Sequence, residues 1–376
     1  MKILIAKQDL MDAIKLTSTT ISTTGSDIST HYLFRVTGDG TGAEVLSQSN
    51  RVFSSCPLVC QVVDHTDGEP SAFTVEGKRL QMWLSAVEDA ALTLEFDGEV
   101  VKATAPVGDQ QFASLDPEMF PLWDDVLKEA ASTVSLETPR LFGALSHLRS
   151  FISPDDTKTP EFSLTEVRDG LFYASDKETA TVVGVQGIKG STIRIHGKNI
   201  PALQQFLTLC GDGDIEILEH DRFAIYRRGD GALFGESRFS KAFPMLDVGR
   251  DREDQHYWVL SKEGVETGIR FLRSGAPHED VRLFFRPSEA GVEMGMTRMV
   301  GGQKYLPVEC VESGASDNSD DLDSFSISYK NLEKILSSYK GDTIRFGINQ
   351  KGKGGWVRFD ESRSGDDYLS IVAWEV

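Results

Sequence analysis

EMFPLWDDV (118–126) and KAFPMLDVG (241–249) say nearly the same thing twice: Phe-Pro, two further residues, then Asp. The copies, Phe120-Pro121 with Asp124 and Phe243-Pro244 with Asp247, lie 123 residues apart in a chain of 376, about a third of its length. A duplication at that distance points to a chain built from repeats, and repeats decide a fold before any local motif does.

The repeat is visible between the two copies and around them. Amphipathic helical spacing recurs six times, with starts near residues 8, 77, 138, 197, 261 and 328, so successive starts are 59 to 69 residues apart. The spacing aligns Leu10, Ile14 and Thr17, then Leu80, Leu84 and Val87, then Leu141, Leu145 and Leu148. It continues with Ile200, Leu203 and Leu207, then Val265, Ile269 and Leu272, then Leu332, Ile335 and Leu336. Each set marks one half-buried helix face. One strand-like run precedes each helix (KILIA, AFTVE, TVSLE, TIRIH, YWVLS, SFSIS), and about three short β-branched or alternating runs follow it. The unit is strand, helix, three strands. Two units make a domain of about 125 residues, and the Phe-Pro stretches fall after the second and fourth units. Three domains follow, at 1–122, 123–246 and 247–376, in an α+β arrangement with two helices packed across the sheets of each domain. Three such domains leave edge strands at both ends of the series, which invite pairing with another copy.

Composition sets outer bounds. Hydrophobic residues make up 40% and charged residues 26% of the chain, the balance of a soluble globular protein. The longest apolar runs fall far short of a membrane span, and MKILIAKQDL carries only four consecutive apolar residues, so no signal peptide and no membrane partner are expected. Cys56, Cys60, Cys210 and Cys310 form no CxxC pair and no His groups with them. They read as reduced structural thiols of a cytoplasmic protein, without a metal site or cofactor. GDGTG (38–42) and GKGG (352–355) read as hairpin turns, because neither opens a helix as a phosphate cradle must. DNSDDLD (317–323) lacks the Gly and terminal Glu of an EF-hand loop. The pairs Asp124-Asp125, Asp155-Asp156 and Asp366-Asp367 have no His or nucleophile at useful spacing. No catalytic residue is assigned.

The net charge is −19, yet the six helical stretches together carry +7, leaving −26 on the strands and loops. Five of the six helices are net basic. A shared basic surface inside an acidic chain suits a polyanion held on one side and repelled elsewhere. The residues that would hold it are Lys15, Lys78, Arg79, Arg140, Arg149, Lys198, Arg270, Arg273, Lys330 and Lys334.

Three segments resemble the bacterial-type DNA sliding clamp, the beta subunit of replicative DNA polymerase III: RFSKAFPMLDV (238–248), SFSISYKNLEKILSSYKGDTIRFGI (324–348) and GLFYASDKETATVVGV (170–185). The resemblance covers the whole chain in length and repeat order. It implies that the chain is a half ring of three domains. Two chains joined head to tail would then enclose double-stranded DNA without sequence specificity, in the manner of a processivity factor. It also implies a pocket that takes peptides of the DNA polymerase and the clamp loader. The matching positions are Ala174, Ser175, Asp176, Lys177, Thr179, Ala180, Pro244, Ser326, Tyr329, Val372, Ala373 and Trp374. Phe112, Phe271 and Leu272 match positions that pack across the subunit junction. The chain departs from the family where Gly-His-Arg-Leu becomes Lys177-Glu178-Thr179-Ala180, where Met245, Leu246 and Asp247 replace basic residues, and at the C-terminal Val372–Val376. Divergence of this depth suits a phage-encoded or distant bacterial member. A repeat-built interaction or structural protein that does not encircle DNA is the alternative reading.

Overall fold

The computed structural model describes residues 1–376 apart from 25–26, 38–41, 50, 65–70, 89, 169, 186, 189–191, 245–252, 275–280, 290, 297–304, 317–321, 323, 352–353, 364–365 and 376. The six repeats are all present. The first is β1 (Lys2–Ala6), α1 (Lys7–Thr17), β2 (His31–Val36), β3 (Ala43–Ser49) and β4 (Val52–Leu58). After β5 (Cys60–Asp64), the second runs β6 (Ala72–Glu76), α2 (Gly77–Ala86), β7 (Ala91–Phe96), β8 (Val100–Ala105) and β9 (Gly108–Ala113). A six-residue helix, α3 (Asp124–Glu129), follows the first Phe-Pro. The third repeat is β10 (Ala131–Glu137), α4 (Thr138–Arg149), β11 (Leu164–Arg168), β12 (Leu171–Ser175) and β13 (Thr179–Gly184). The fourth is β14 (Ile193–His196), α5 (Ile200–Cys210), β15 (Asp214–Glu219), β16 (Phe223–Arg228) and β17 (Leu233–Ser237). The fifth is β18 (His256–Ser261), α6 (Lys262–Ser274), β19 (Arg282–Ser288), β20 (Gly291–Met296) and β21 (Tyr305–Val308). Beyond β22 (Cys310–Ala315), the sixth is β23 (Phe325–Ser328), α7 (Tyr329–Ser338), β24 (Thr343–Lys351), β25 (Gly354–Arg363) and β26 (Asp366–Glu375).

The apolar spacing is what buries each helix. Leu10, Leu80, Leu145, Leu203, Val265 and Leu332, one from each expected face, have no exposed surface. Full burial of such a side chain contributes about 1.5–3 kcal/mol.

The chain divides into two compact units: Met1–Phe142 with Lys198–Phe239, and Gly143–Gly197 with Ser240–Val376. The first unit holds a five-stranded sheet, β5-β1-β7-β8-β9, and an eight-stranded sheet, β10-β15-β16-β17-β4-β3-β2-β6. The second is built on one thirteen-stranded sheet whose main path is β14-β11-β12-β13-β26-β23-β19-β20-β21. All the pairings are antiparallel. The division runs through α4 because the third and fourth repeats are zipped to different neighbours: β17 pairs with β4, and β13 pairs with β26.

Both Phe-Pro stretches act as plugs. Phe120 packs against Leu33 and Leu46 in the first unit. Trp123 stacks on Phe53 at 4.3 Å between ring centroids, and Asp124 accepts from the Arg35 Nη2 at 2.9 Å. In the second unit, the Phe243 N–H donates to the Glu166 Oε2 at 2.9 Å, and the Phe243 ring lies against Phe162 and Tyr173. Asp247 lies outside the described residues. Residues 38–41 and 352–353 of the Gly-rich stretches lie outside the described residues; beside them the Thr37 N–H donates to the Gly42 carbonyl at 2.8 Å, and Lys351 faces Gly354 in the β24–β25 ladder. Among the described residues no group of three metal-ligating side chains occurs, and no helix is long and apolar enough to cross a membrane.

Candidate functional site

Eight of the ten basic residues singled out on the helices are exposed: Lys15, Lys78, Arg79, Arg149, Lys198, Arg270, Arg273 and Lys330. Arg140 is half-buried. Lys334 differs in kind. Its ammonium pairs with the Asp176 carboxylate and donates to the Thr179 Oγ1 at 3.2 Å, so much of its charge is answered within the second unit. Arg273 lies over the Tyr329 ring at 5.1 Å and pairs with Glu333 at 3.7 Å, tying α6 to α7.

The Asp176–Glu178 turn joining β12 to β13 is the centre of the candidate peptide site. The Asp176 Oδ1 accepts the backbone N–H of Glu178 (3.1 Å) and of Thr179 (2.8 Å), the local side-chain bonding that favours Asp in turns. From α7, Lys334 reaches Asp176 and the Asn331 Nδ2 donates to the Glu178 Oε2 at 3.0 Å. Lys177 sits at φ +83°, a left-handed conformation that costs an L-residue with a Cβ roughly 1–2 kcal/mol. Lys177→Gly should therefore raise stability by about 0.5–1 kcal/mol, read as a higher denaturant midpoint, whereas Lys177→Ala, which keeps the Cβ, should give no such gain.

Strand alternation divides the pocket residues between two faces. Ala174, Thr179 and Val372 are buried, facing the core, as is Tyr329 beneath Arg273. The other face of β13 and β26 carries an apolar cluster in which buried Ala180 opposes half-buried Ile371 and buried Val182 opposes buried Leu369, flanked by half-buried Leu171 and Tyr173. Ser175, buried, closes the turn by donating to the Thr179 carbonyl at 2.8 Å, and Ser326 is buried where its Oγ accepts from the Arg282 Nε at 2.9 Å. Pro244 follows Phe243 beside Tyr173 at one end of the cluster, and Ala373 is exposed. Trp374 faces Gly355 in the ladder, but its side chain lies outside those described. Val182, Leu369, Tyr173, Ile371 and Phe243 were not among the pocket residues read from the sequence, although Phe243 was marked there as part of the second Phe-Pro stretch; period-two counting outward from buried Phe172 and Ala174 would have found Tyr173. Beyond Leu369 the cluster opens into a cleft of about 370 Å³ reaching Asp360 and Asp367. Burial pushes the Asp360 carboxyl up. Beneath the cluster, burial pulls the His147 imidazole down to about 3, so it is neutral and bonds Thr181 at 2.9 Å.

The positions matched to a subunit junction differ in exposure. Phe112 is 1% exposed, packed edge-on to Trp83 and covered by Arg79, and Leu272 is fully buried. Both side chains are buried within their own chain. Phe271 is 54% exposed. Several strands end a sheet among the described residues, and two of them are the last strands of their repeats. β9 pairs only with β8, and β21 only with β20, among the described residues.

Six strand-helix-three-strand repeats joined in this way define the sliding-clamp fold. No family model and no curated protein matches the sequence. Solved structures do. The DNA polymerase sliding clamp of Bacillus subtilis aligns with a TM-score of 0.79 at 13% identity, covering 100% of this chain and 99% of that one. The beta subunit of DNA polymerase from Streptococcus pyogenes gives 0.80 at 12%, covering 100% and 99%. Caulobacter crescentus pol III beta gives 0.80 at 15%, covering 100% of both chains. At these identities the likeness is one of fold.

Proposed function

We propose that this protein is a divergent sliding clamp: a non-catalytic processivity factor of three domains, 1–122, 123–246 and 247–376. Two copies close head to tail around double-stranded DNA in the cytoplasm and tether a DNA polymerase. One observation carries the reading. The last strand of the first repeat (β4) pairs with the last strand of the fourth (β17), and that of the third (β13) pairs with that of the sixth (β26). The rule is odd repeat of one domain to even repeat of the next. Two last strands are left over, β21 of the fifth repeat and β9 of the second, and they are the pair that the same rule would join between copies. A contact between different surfaces of identical chains closes into a ring when its rotation allows.

The charge distribution supports the same reading. The exposed helical Lys and Arg can meet phosphates without reading bases, and the acidic remainder repels DNA elsewhere. The half-buried edge of the β13–β26 cluster, Leu171, Tyr173 and Ile371, is suited to an apolar peptide of the polymerase or clamp loader. The experiment is retention on nicked circular DNA in the presence of a cognate loader, followed by linearisation. Retention on the circle that vanishes on cutting is expected. Retention that survives cutting, or no loading at all, would instead favour a repeat-built interaction protein that never encircles DNA.

A further inference from the structure

A groove of about 660 Å³ opens in the first unit, away from the cluster just described. Its floor is Leu33, Ala72 and Phe96. One wall is the chain leaving β9, which crosses beside edge strand β6 and is fastened there. The Thr74 N–H donates to the Ser114 Oγ at 3.0 Å, and the Leu115 N–H donates to the Thr74 Oγ1 at 2.7 Å. Asp116 then accepts the Glu118 N–H at 2.9 Å, capping a short turn, and Phe120 anchors the far end against Leu33. The opposite wall is the β7–β8 turn, held by the Asp97 Oδ1, which accepts the N–H of Glu99 and of Val100, and by the Ser114 N–H on the Glu99 carbonyl at 3.1 Å. Both walls are pre-formed, which lowers the ordering cost of binding.

The rim has one sign of charge. Glu99, Asp116 and Glu118 are exposed around it. The cation in the lining, Arg35, is held by Glu44 and Asp124. At the mouth Leu122 is 53% exposed. An apolar floor inside an acidic rim disfavours nucleic acid and acidic segments and complements the opposite composition.

We propose that this groove binds a short peptide of a partner protein that carries large apolar side chains flanked by lysine or arginine. The inference rests on the first unit alone and stands whether or not the chain encircles DNA.

The test uses the full chain and fluorescence anisotropy with three labelled hexapeptides: Lys-Lys-Leu-Phe-Lys-Lys, Lys-Lys-Ser-Ser-Lys-Lys and Glu-Glu-Leu-Phe-Glu-Glu. The first should bind, and the other two should bind at least about tenfold more weakly, since both charge and apolar anchor are needed. Glu99→Lys with Glu118→Lys, and separately Leu122→Ser, should each weaken the first peptide by about tenfold or more. All three side chains are exposed, so the variants should fold as the parent does. The proposal is overturned by equal binding of the serine peptide, which would mean charge attraction alone. Undiminished binding to these variants, or no binding of the first peptide, would overturn it equally.

Discussion

Replacing Gln111 by proline should leave the chain folded and abolish its self-association. β9 pairs with β8 in a register that sets Phe112 opposite Val101 and Gln111 opposite Lys102. The Ser114 N–H donates to the Glu99 carbonyl, and in an antiparallel ladder bonded positions alternate, so Phe112 and Gln110 also bond to β8. The amides of Asp109, Gln111 and Ala113 then point to the open side. Proline is tolerated at an edge when the lost N–H faces outward, so Gln111→Pro removes a donor from the proposed junction without breaking β8–β9. A closed pair contains two such junctions. One lost bond at each, about 0.5–1.5 kcal/mol, together with the ring's bulk against the facing strand, predicts at least roughly a hundredfold weaker dimer. Sedimentation should give a monomer with an unchanged circular-dichroism spectrum, and retention on nicked circles should be lost. A variant that still dimerises like the parent would place the junction elsewhere.

Glu166→Ala should cost about 3 kcal/mol of stability, the low end for removing one partner from a buried ion pair. The Glu166 side chain is 1% exposed and is bonded by the Arg168 Nε at 3.0 Å, the Arg194 Nε at 2.8 Å and the Phe243 N–H at 2.9 Å. Without the carboxylate, two guanidinium groups keep their desolvation and the second Phe-Pro stretch loses its anchor. Those arginines are partly exposed, which is why the low end applies. Burial alone would raise this carboxyl; bonds from Arg168, Phe243 and Arg194 outweigh it and hold it below its ordinary 4.5. The native state thus binds this proton more weakly than the unfolded chain. Its stabilisation is complete above about pH 4.5 and is lost as pH falls below it. Denaturant unfolding from pH 7 to pH 3 should show the parent losing stability faster than Glu166→Gln below pH 4.5. Parallel curves would mean that the cluster contributes nothing through the charge.

Much of this fold was legible because helical period and turn residues are local. Expected helix starts at 77 and 138 coincide with Gly77 and Thr138, and those at 8, 261 and 328 fall within one residue of Lys7, Lys262 and Tyr329. Leu272 shows a conflict between two kinds of reading. Its spacing from Val265 and Ile269 placed it on the buried face, and it is buried; the resemblance alone placed it at a junction. Phe271, one residue earlier on the helix, points the other way. What sequence could not supply is long-range. Lys334 looks like any exposed helical cation until Asp176, 158 residues away, takes its charge. The groove beside Leu122 needs Phe96 and Leu33 brought under one wall. Helix α3 was missed because six residues are too few to establish a period.

Native mass measurement across micromolar concentrations tests ring closure most directly. The chain of 41.5 kDa should give a dimer with no trimer, tetramer or longer series, because joining β21 of one copy to β9 of the next leaves no last strand of a repeat without a cross-repeat partner once two copies have closed. A monomer at every concentration, or a ladder of increasing size, would contradict it.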